Sequence, residues 1–442
     1  MRLMLAALMM VMFCMSVRPA RAERSLSLAE AISLQRQRNT FLQQSELDLE
    51  RTRLLLLQAK LAWTVFKVTA NASATYQRNA PRPPCEAQPT ECQDQNYSAT
   101  GLASLTLPVW TGFANEAGLF GARHRETAAR ATREGTLRQL TLDLSQAYWE
   151  VRRKELERNV TAELVRDYRK LETLTEQRLK AGIAPAVDNL RARGATLGLE
   201  TNLIQLRHQG ESARAKLAQA LEINDELVLT DEPSAHADAP PTIDEAVAKA
   251  LASHPDLRAA QSVYAATNED VRKAKGAYWP QVSLVASEQL AFQSAIPPAG
   301  LAPMPGPQFP INHLNSFFTG VKVDWTVFDM LTTWSAVRDA SITRDRSRAD
   351  LVQARVKVVS EVRTAYADLT QAMELQRPTH EKVLLDKNSL ELLRKRYQAG
   401  AGEQIEVLDA QQKLLQSELD EVDRMVDLSE AQWRLKAAMG GY

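Results

Sequence analysis

Apolar residues recur at helical spacing along two long stretches of the chain. Val352, Val356, Val359, Val362, Tyr366, Leu369 and Met373 are three or four positions apart, as are Leu137, Leu140, Leu144, Tyr148 and Val151. Residues so spaced share one side of an α-helix, and the intervening Arg, Glu, Gln and Asp stay in water. Elsewhere the period is two. Phe66, Val68, Ala70, Ala72, Ala74 and Tyr76 alternate with Lys67, Thr69, Asn71, Ser73 and Thr75. Tyr97, Ala99, Gly101, Ala103, Leu105, Leu107 and Val109 alternate with Ser98, Thr100, Ser104 and Thr106, Leu102 being the exception. Val282, Leu284 and Ala286 face Gln281, Ser283 and Ser287, and Val321, Val323, Trp325 and Val327 face Lys322, Asp324 and Thr326. The pattern predicts a mostly α chain with strands at about 65–76, 97–109, 281–292 and 316–328, paired as two hairpins.

Proline placement draws the same outline. Of 19 prolines, four lie between Pro81 and Pro89 and six between Pro297 and Pro310, the loops between paired strands. None falls between Val109 and Ala184, between Ile311 and Arg377, or after Pro378. Proline inside a helix costs about 3 kcal/mol, so these stretches are where long helices are permitted. One from about Phe113 to Lys180 would be roughly 100 Å long at ~1.5 Å per residue.

The chain also repeats itself. Ser145-Gln146-Ala147-Tyr148 lies over Arg363-Thr364-Ala365-Tyr366 at an offset of 218, which holds through Arg178-Leu179-Lys180-Ala181-Gly182 over Arg396-Tyr397-Gln398-Ala399-Gly400. Leu28-Ala29-Glu30-Ala31-Ile32 likewise resembles Ile243-Asp244-Glu245-Ala246-Val247. The expected organisation is a first repeat over 23–230, a proline-bearing linker over 231–241 and a second repeat over 242–442. Gly182 and Gly400 then mark turns between long antiparallel helices, because glycine tolerates the left-handed conformation just past a helix end.

Residues 1–22 carry Arg2, an apolar run from Leu3 to Val17 and a small-residue site at Ala20-Arg21-Ala22, the layout of a secretory signal peptide. Its removal takes three arginines from a chain with 54 basic and 54 acidic side chains, leaving net −3. So balanced a charge argues against nucleic-acid binding. No later apolar run is long enough for a transmembrane helix. Export makes a disulfide the default for Cys85 and Cys92, with two free thiols the alternative.

The strands have the length and alternation of membrane-spanning β-strands, with aromatics near their ends; a half-buried sheet packed on helices would alternate in the same way. Four strands cannot close a barrel, so several chains would have to pool them, and three would give twelve. At this point the chain resembles the TolC-like outer-membrane efflux and export channels of Gram-negative bacteria. The most specific segment is Arg396-Tyr397-Gln398-Ala399-Gly400-Ala401-Gly402-Glu403-Gln404-Ile405-Glu406-Val407-Leu408-Asp409-Ala410. The resemblance implies a homotrimer with a 12-stranded β-barrel in the outer membrane, continued by a periplasmic α-helical barrel. It also implies passive conduction of cargo from an inner-membrane transporter of RND, ABC or MFS type, received through a periplasmic adaptor.

By the same resemblance the turns at Gly182 and Gly400 are the periplasmic tips, closed at rest and docked by the adaptor. Glu406 and Asp409 match acids that ring the channel mouth; read from the residues alone, they are also ordinary acids at a helix N-terminus. Asp188 and Tyr397 match gate residues, whereas Gly402 stands where a gate arginine is expected, so the gate would rest on Tyr397 and Asp188. Two other classes compete. A periplasmic coiled-coil adaptor also carries long helical hairpins, but once rather than twice. An exported hydrolase would need a nucleophile and base. No catalytic motif is present, the six histidines are scattered, and no metal or cofactor is expected.

Overall fold

The computed structural model describes residues 24–64, 66–78, 95–223, 227–234, 239–296 and 312–441. The signal-peptide residues 1–22, the loops holding ten prolines, and Cys85 and Cys92 lie outside the described residues. The chain forms two compact units. One comprises the segments ending at Asp48, Arg130–Ala259 and the segment from Val352; the other comprises Leu49–Ala129 and Ala260–Leu351.

In chain order the elements are β1 (Arg24–Leu26), α1 (Leu28–Arg38), α2 (Thr40–Thr64), β2 (Lys67–Arg78), β3 (Gln95–Trp110), α3 (Ala114–Lys180) and α4 (Ala186–Leu221). They continue with β4 (Leu227–Leu229), α5 (Ile243–Ser253), α6 (Pro255–Lys275), β5 (Gln281–Ile296), β6 (Asn312–Asp324), α7 (Thr332–Gln398) and α8 (Gln404–Ala438). The short helices α1 and α5 begin with the same device. Ser27 and Thr242 each accept from the backbone of a glutamate three residues on, and Glu30 and Glu245 return the bond. Such capping boxes satisfy helix donors that would otherwise lack partners.

Helix α3 begins and ends within a residue of its expected bounds. Helix α7 does not respect its proline: Pro378 sits inside it. Glu374, whose carbonyl loses its amide partner, is exposed, so water can take its place, and the Thr379 hydroxyl donates to the Leu375 carbonyl at 2.8 Å.

In the first unit a small parallel sheet, which no residue pattern announces, pairs β1 with β4. It closes over the buried Tyr148, whose hydroxyl donates to the Leu26 carbonyl at 3.1 Å and accepts from the Asp231 amide at 3.1 Å. Asp231 also accepts from the Leu28 amide through Oδ2 and from Arg152 Nε through its carbonyl, both at 2.8 Å. The repeat signature residue Tyr148 is therefore the hub of an apolar cluster with Leu26, Leu144, Leu217 and Val426. Further along α3, Arg153 is surrounded by Glu150, Asp423, Asp427 and Glu430 at 2.9–3.7 Å, which ties α3 to α8.

The second unit holds an antiparallel sheet of order β2-β3-β5-β6. Rows run straight across it. Val68, Leu105 and Ala286 share one row, as do Ala72, Gly101 and Leu290, all on one face. The opposite face carries Thr69, Ser104 and Ser287, with a 2.6 Å hydroxyl pair between the first two. Polar residues interrupt the pattern: Glu288 stands on the apolar face between Ala103 and Phe317, and on β6 the two rows end in Thr319 and Asn315.

Two expected strand details are corrected. Val109 does not continue the apolar row, because pairing jumps from Pro108–Ser283 to Trp110–Val282. Pro108 has no amide to carry the ladder, and a bulge follows. Strand β6 ends at Asp324 rather than near 328; beyond it Trp325 Nε1 donates to the Tyr278 carbonyl at 3.3 Å and Asp329 Oδ2 caps the Thr333 amide at 2.7 Å.

Where strands hand over to long helices, Gly112 and Phe113 have φ of 61° and 68°, and Met330 and Leu331, 218 residues on, have 51° and 70°. A Cβ on Gly112 would lie 2.6 Å from the Gly276 carbonyl oxygen, so only glycine fits there.

His254 caps α5 and is fully buried with neither ring nitrogen bonded. Burial, then the nearby Arg138 and Lys357 charges, push its pKa down to about 4 against the pull of Asp256, and Glu361 lies 3.9 Å away. The folded chain thus keeps His254 neutral while the unfolded chain takes up a proton below about pH 6.5. Its contribution to stability is complete above that pH and falls by up to about 3 kcal/mol per chain as pH drops towards 4. Buried Glu157 and half-buried Asp423 and Glu430, whose pKa values are raised chiefly by partial desolvation, act in the opposite direction. The expected signature is therefore a difference: between pH 7 and 4.5, wild type loses more thermal stability than a His254→Phe chain.

Candidate functional site at the paired hairpin tips

The two turns joining long helices are built alike. In the first, the Ile183 amide donates to the Arg178 carbonyl at 2.9 Å and the Gly182 amide to the Leu179 carbonyl at 3.0 Å. In the second, the Ala401 amide donates to the Arg396 carbonyl at 3.0 Å and the Gly400 amide to the Tyr397 carbonyl at 3.1 Å. Both are Schellman turns, and both glycines are left-handed, with φ of 71° and 77°. A Cβ at either would meet nothing within 4 Å, so the constraint there is conformational rather than steric.

Behind the tips Leu171 of α3, Val383, Leu390 and Tyr397 of α7, and Val407, Ala410 and Leu414 of α8 pack into one buried cluster. A neighbouring cluster joins Leu164, Val165 and Tyr168 of α3 to Leu199 of α4. Burial there raises the Tyr168 pKa to about 12. Asp167 links α3 to α7 through Arg394 at 2.8 Å and also receives Lys170 at 3.0 Å. Burial works to raise its pKa, but the hydrogen bonds from these two cations outweigh it and hold the carboxyl below its usual range.

The strongest link between the tips comes from a residue that sequence reasoning passed over. Arg178, in the last turn of α3, places its guanidinium 4.3 Å from the centre of the Tyr397 ring. Its Nη2 donates to the carbonyls of Tyr397 at 2.9 Å and Gln398 at 3.2 Å. The last carbonyls of a helix lack intrahelical donors and carry the negative end of its dipole, so a cation is favoured there. The signal was visible as an arginine repeated four residues before each tip glycine.

The expected site residues fall into two groups. Tyr397 is buried, 5% exposed, and its hydroxyl bonds to no group among the described residues, so the structure does not join it to Asp188. Asp188 lies half-buried in the first turn of α4. On α8 the positions Gln404, Val407, Ala410, Gln411 and Leu414 face inward. Glu406, half-buried, and Asp409, exposed, therefore share the outer side of α8, followed one turn later by exposed Lys413. Gly402 is tightly enclosed: a Cβ would lie 3.3 Å from the Tyr397 nitrogen and 3.4 Å from Arg396 Cβ. Among the described residues there is no cluster able to hold a metal ion.

Long helices paired by tight tips, together with an open sheet that is apolar on one face, define the subunit of an outer-membrane channel. The family model described as outer membrane efflux protein matches residues 31–222 and 246–441. The chain belongs to the outer membrane efflux protein family. It is thus a channel of the outer membrane that extends into the periplasm and serves efflux; the adaptor alternative finds no support. The fold is similar to that of the outer-membrane channel OprN, at 22% identity, with a TM-score of 0.79 and 94% of this chain and 90% of that one covered. VceC from Vibrio cholerae matches at 17% identity, with a TM-score of 0.75 over 94% and 96% of the two chains. CmeC from Campylobacter jejuni matches at 15%, with a TM-score of 0.77 over 94% and 85%. No curated protein matches the chain by sequence.

The three side-chain roles separate by substitution. Tyr397→Phe removes a hydroxyl that makes no bond within the chain and is expected to be nearly neutral, within about 0.5 kcal/mol. Tyr397→Ala empties a packed site and costs about 3–5 kcal/mol. Arg178→Gln loses the ring contact and charged bonds to two carbonyls, about 1–3 kcal/mol. Denaturant unfolding of the three variants checks the order; a Phe variant as unstable as the Ala variant would show that the hydroxyl is engaged.

Proposed function

We propose that three copies of the chain form one exit duct, each giving four strands to a closed barrel of twelve in the outer membrane and its long helices to a periplasmic α-helical barrel. The observation that carries this is the sheet. Its outer strands, β2 with 12 residues and β6 with 13, have no second neighbour among the described residues. Both carry exposed apolar side chains, among them Val68, Phe317, Val321 and Val323. Such edges are stable in hydrocarbon only when paired, and pairing β6 of one copy with β2 of the next does so without leaving an end.

Exposed Trp279, Trp325, Val327, Phe328, Met330, Leu331 and Trp334 lie where strands join helices. Aromatic and apolar groups at that level suit the boundary between lipid and water. Two repeats of helix, hairpin, long helix pair and tip, joined by the 231–241 linker, give each copy two tips and the ring six.

In this reading the tips form the periplasmic gate and the docking surface for an adaptor, which connects the duct to an inner-membrane transporter of RND, ABC or MFS type. Glu406 and Asp409 of three copies supply six carboxylates at the mouth and favour cations, and Lys413 reduces the excess. Asp188 and Tyr397 belong to the same gate, Tyr397 as a packing and stacking group. The duct is passive and needs no cofactor.

Heat-modifiable trimers in the outer-membrane fraction are the expected outcome of fractionation, whereas a protein released by carbonate from the periplasm would contradict the reading. For the mouth, Glu406→Gln with Asp409→Asn should move the reversal potential in a salt gradient towards zero. No shift would leave these acids as ordinary helix-start residues.

A further inference from the structure

The two tips repeat one another beyond their turns. The offset that aligns Gly182 with Gly400 also aligns Arg178 with Arg396, and Leu179 and Lys180 with Tyr397 and Gln398. Yet the two arginines behave differently. Arg178 leaves its own hairpin and holds the carbonyls of Tyr397 and Gln398 on the other. Arg396 is exposed and, among the described residues, reaches only the Ala401 carbonyl of its own turn, at 3.5 Å, the weak limit for a hydrogen bond. The carbonyls of Leu179 and Lys180, counterparts of those that hold Arg178, receive no arginine among the described residues, although the Leu179 carbonyl is already oriented by the Gly182 amide just as the Tyr397 carbonyl is by Gly400.

We propose that Arg396 makes the missing contact between chains: in the assembled duct its guanidinium donates to the carbonyls of Leu179 and Lys180 of the partner subunit. This rests on the three-copy assembly proposed above. In a closed ring of six tips, first and second hairpins alternate, so beyond every second tip stands the first tip of the next copy. The step from first to second tip within a chain is then repeated from second to first between chains. The donor and the two acceptors stand in equivalent places in that second step. A planar guanidinium spans two adjacent carbonyls at a helix end, where the dipole favours a cation.

Gly402 fits the same arrangement. A Cβ there would lie 3.3 Å from the Tyr397 nitrogen and 3.4 Å from Arg396 Cβ, so glycine keeps the base of the arginine uncrowded.

The two clamps are unequal. Arg178 also stacks on the Tyr397 ring, whereas Arg396 would meet Leu179, which offers no aromatic face. The ring therefore parts between copies first, and the two tips of each chain move together.

The test uses the full-length protein purified from outer membranes, with Cys85 and Cys92 replaced by serine. A Lys180→Cys, Arg396→Cys chain treated with a short bismaleimide should give covalent dimers and trimers, and each single-cysteine chain should give neither. In planar bilayers Arg396→Gln should raise the resting single-channel conductance several-fold, Arg396→Lys should restore only part of the closure, and Arg178→Gln added to Arg396→Gln should raise it further. Light scattering on the same samples separates two failures. A particle that is not three chains overturns the assembly, whereas a three-chain particle with no cross-link and unchanged conductance in Arg396→Gln overturns the clamp alone.

Discussion

A β-strand without a neighbour presents a row of amide and carbonyl groups that hydrocarbon cannot satisfy, at several kcal/mol for each group left unpaired. The rest of the structure depends on that constraint. The sheet is antiparallel, four strands wide and largely apolar on one face, and on both sides it ends in a long strand whose outer edge has no partner among the described residues. A soluble protein would have to cover or charge such edges. Here the face that ought to be wet carries Val, Leu, Phe and Ala, and the connections to the helices carry Trp, Phe and Met. Edges and face make sense together only if other copies supply the missing neighbours and lipid supplies the apolar surroundings.

The helical unit solves a different problem. Helices of 67 residues bury one apolar side, with Leu144, Tyr148, Val151, Leu164 and Leu171 on α3 and Val362, Leu369, Val383 and Leu390 on α7, but a repeating stripe leaves their register open, so local fasteners pin the alignment. Tyr148 with Asp231 fixes the 26–28 segment and the linker to α3; Arg153 gathers four carboxylates from α3 and α8; Asp167 and Arg178 tie α3 to α7 near the tips. Several of these groups are partly exposed, where single ion pairs contribute modestly. Their spacing along the helices matters more than the strength of any one.

Much of the fold was legible in the sequence because it is written in periods. Spacings of three and four gave the buried side of α3, the proline-free stretch before the Gly182 turn gave its length nearly to the residue, and spacing of two gave the strands. Proline misled once, since Pro378 is carried inside α7 where its exposed partner carbonyl can use water, and alternation misled at Val109, which the bulge after Pro108 removes from its row. The sheet of β1 and β4 was invisible, because three-residue strands have no period and their pairing joins residues 203 apart, such as Arg24 and Leu227. At the tips the turn glycines could be read from the repeat, but the clamp could not. Nothing in a linear pattern says that Arg178 reaches the other hairpin while Arg396, in the same motif, remains on its own.

The central claim is that β6 of one copy pairs with β2 of the next, and cysteine scanning of the two edges tests it most directly. With one cysteine at Ser73 in β2 and a second moved along β6, in a chain lacking Cys85 and Cys92, oxidation in intact outer membranes should give covalent trimers at alternate positions and nothing larger. Absence of cross-links along the whole of β6, or a ladder extending beyond three chains, would contradict the account.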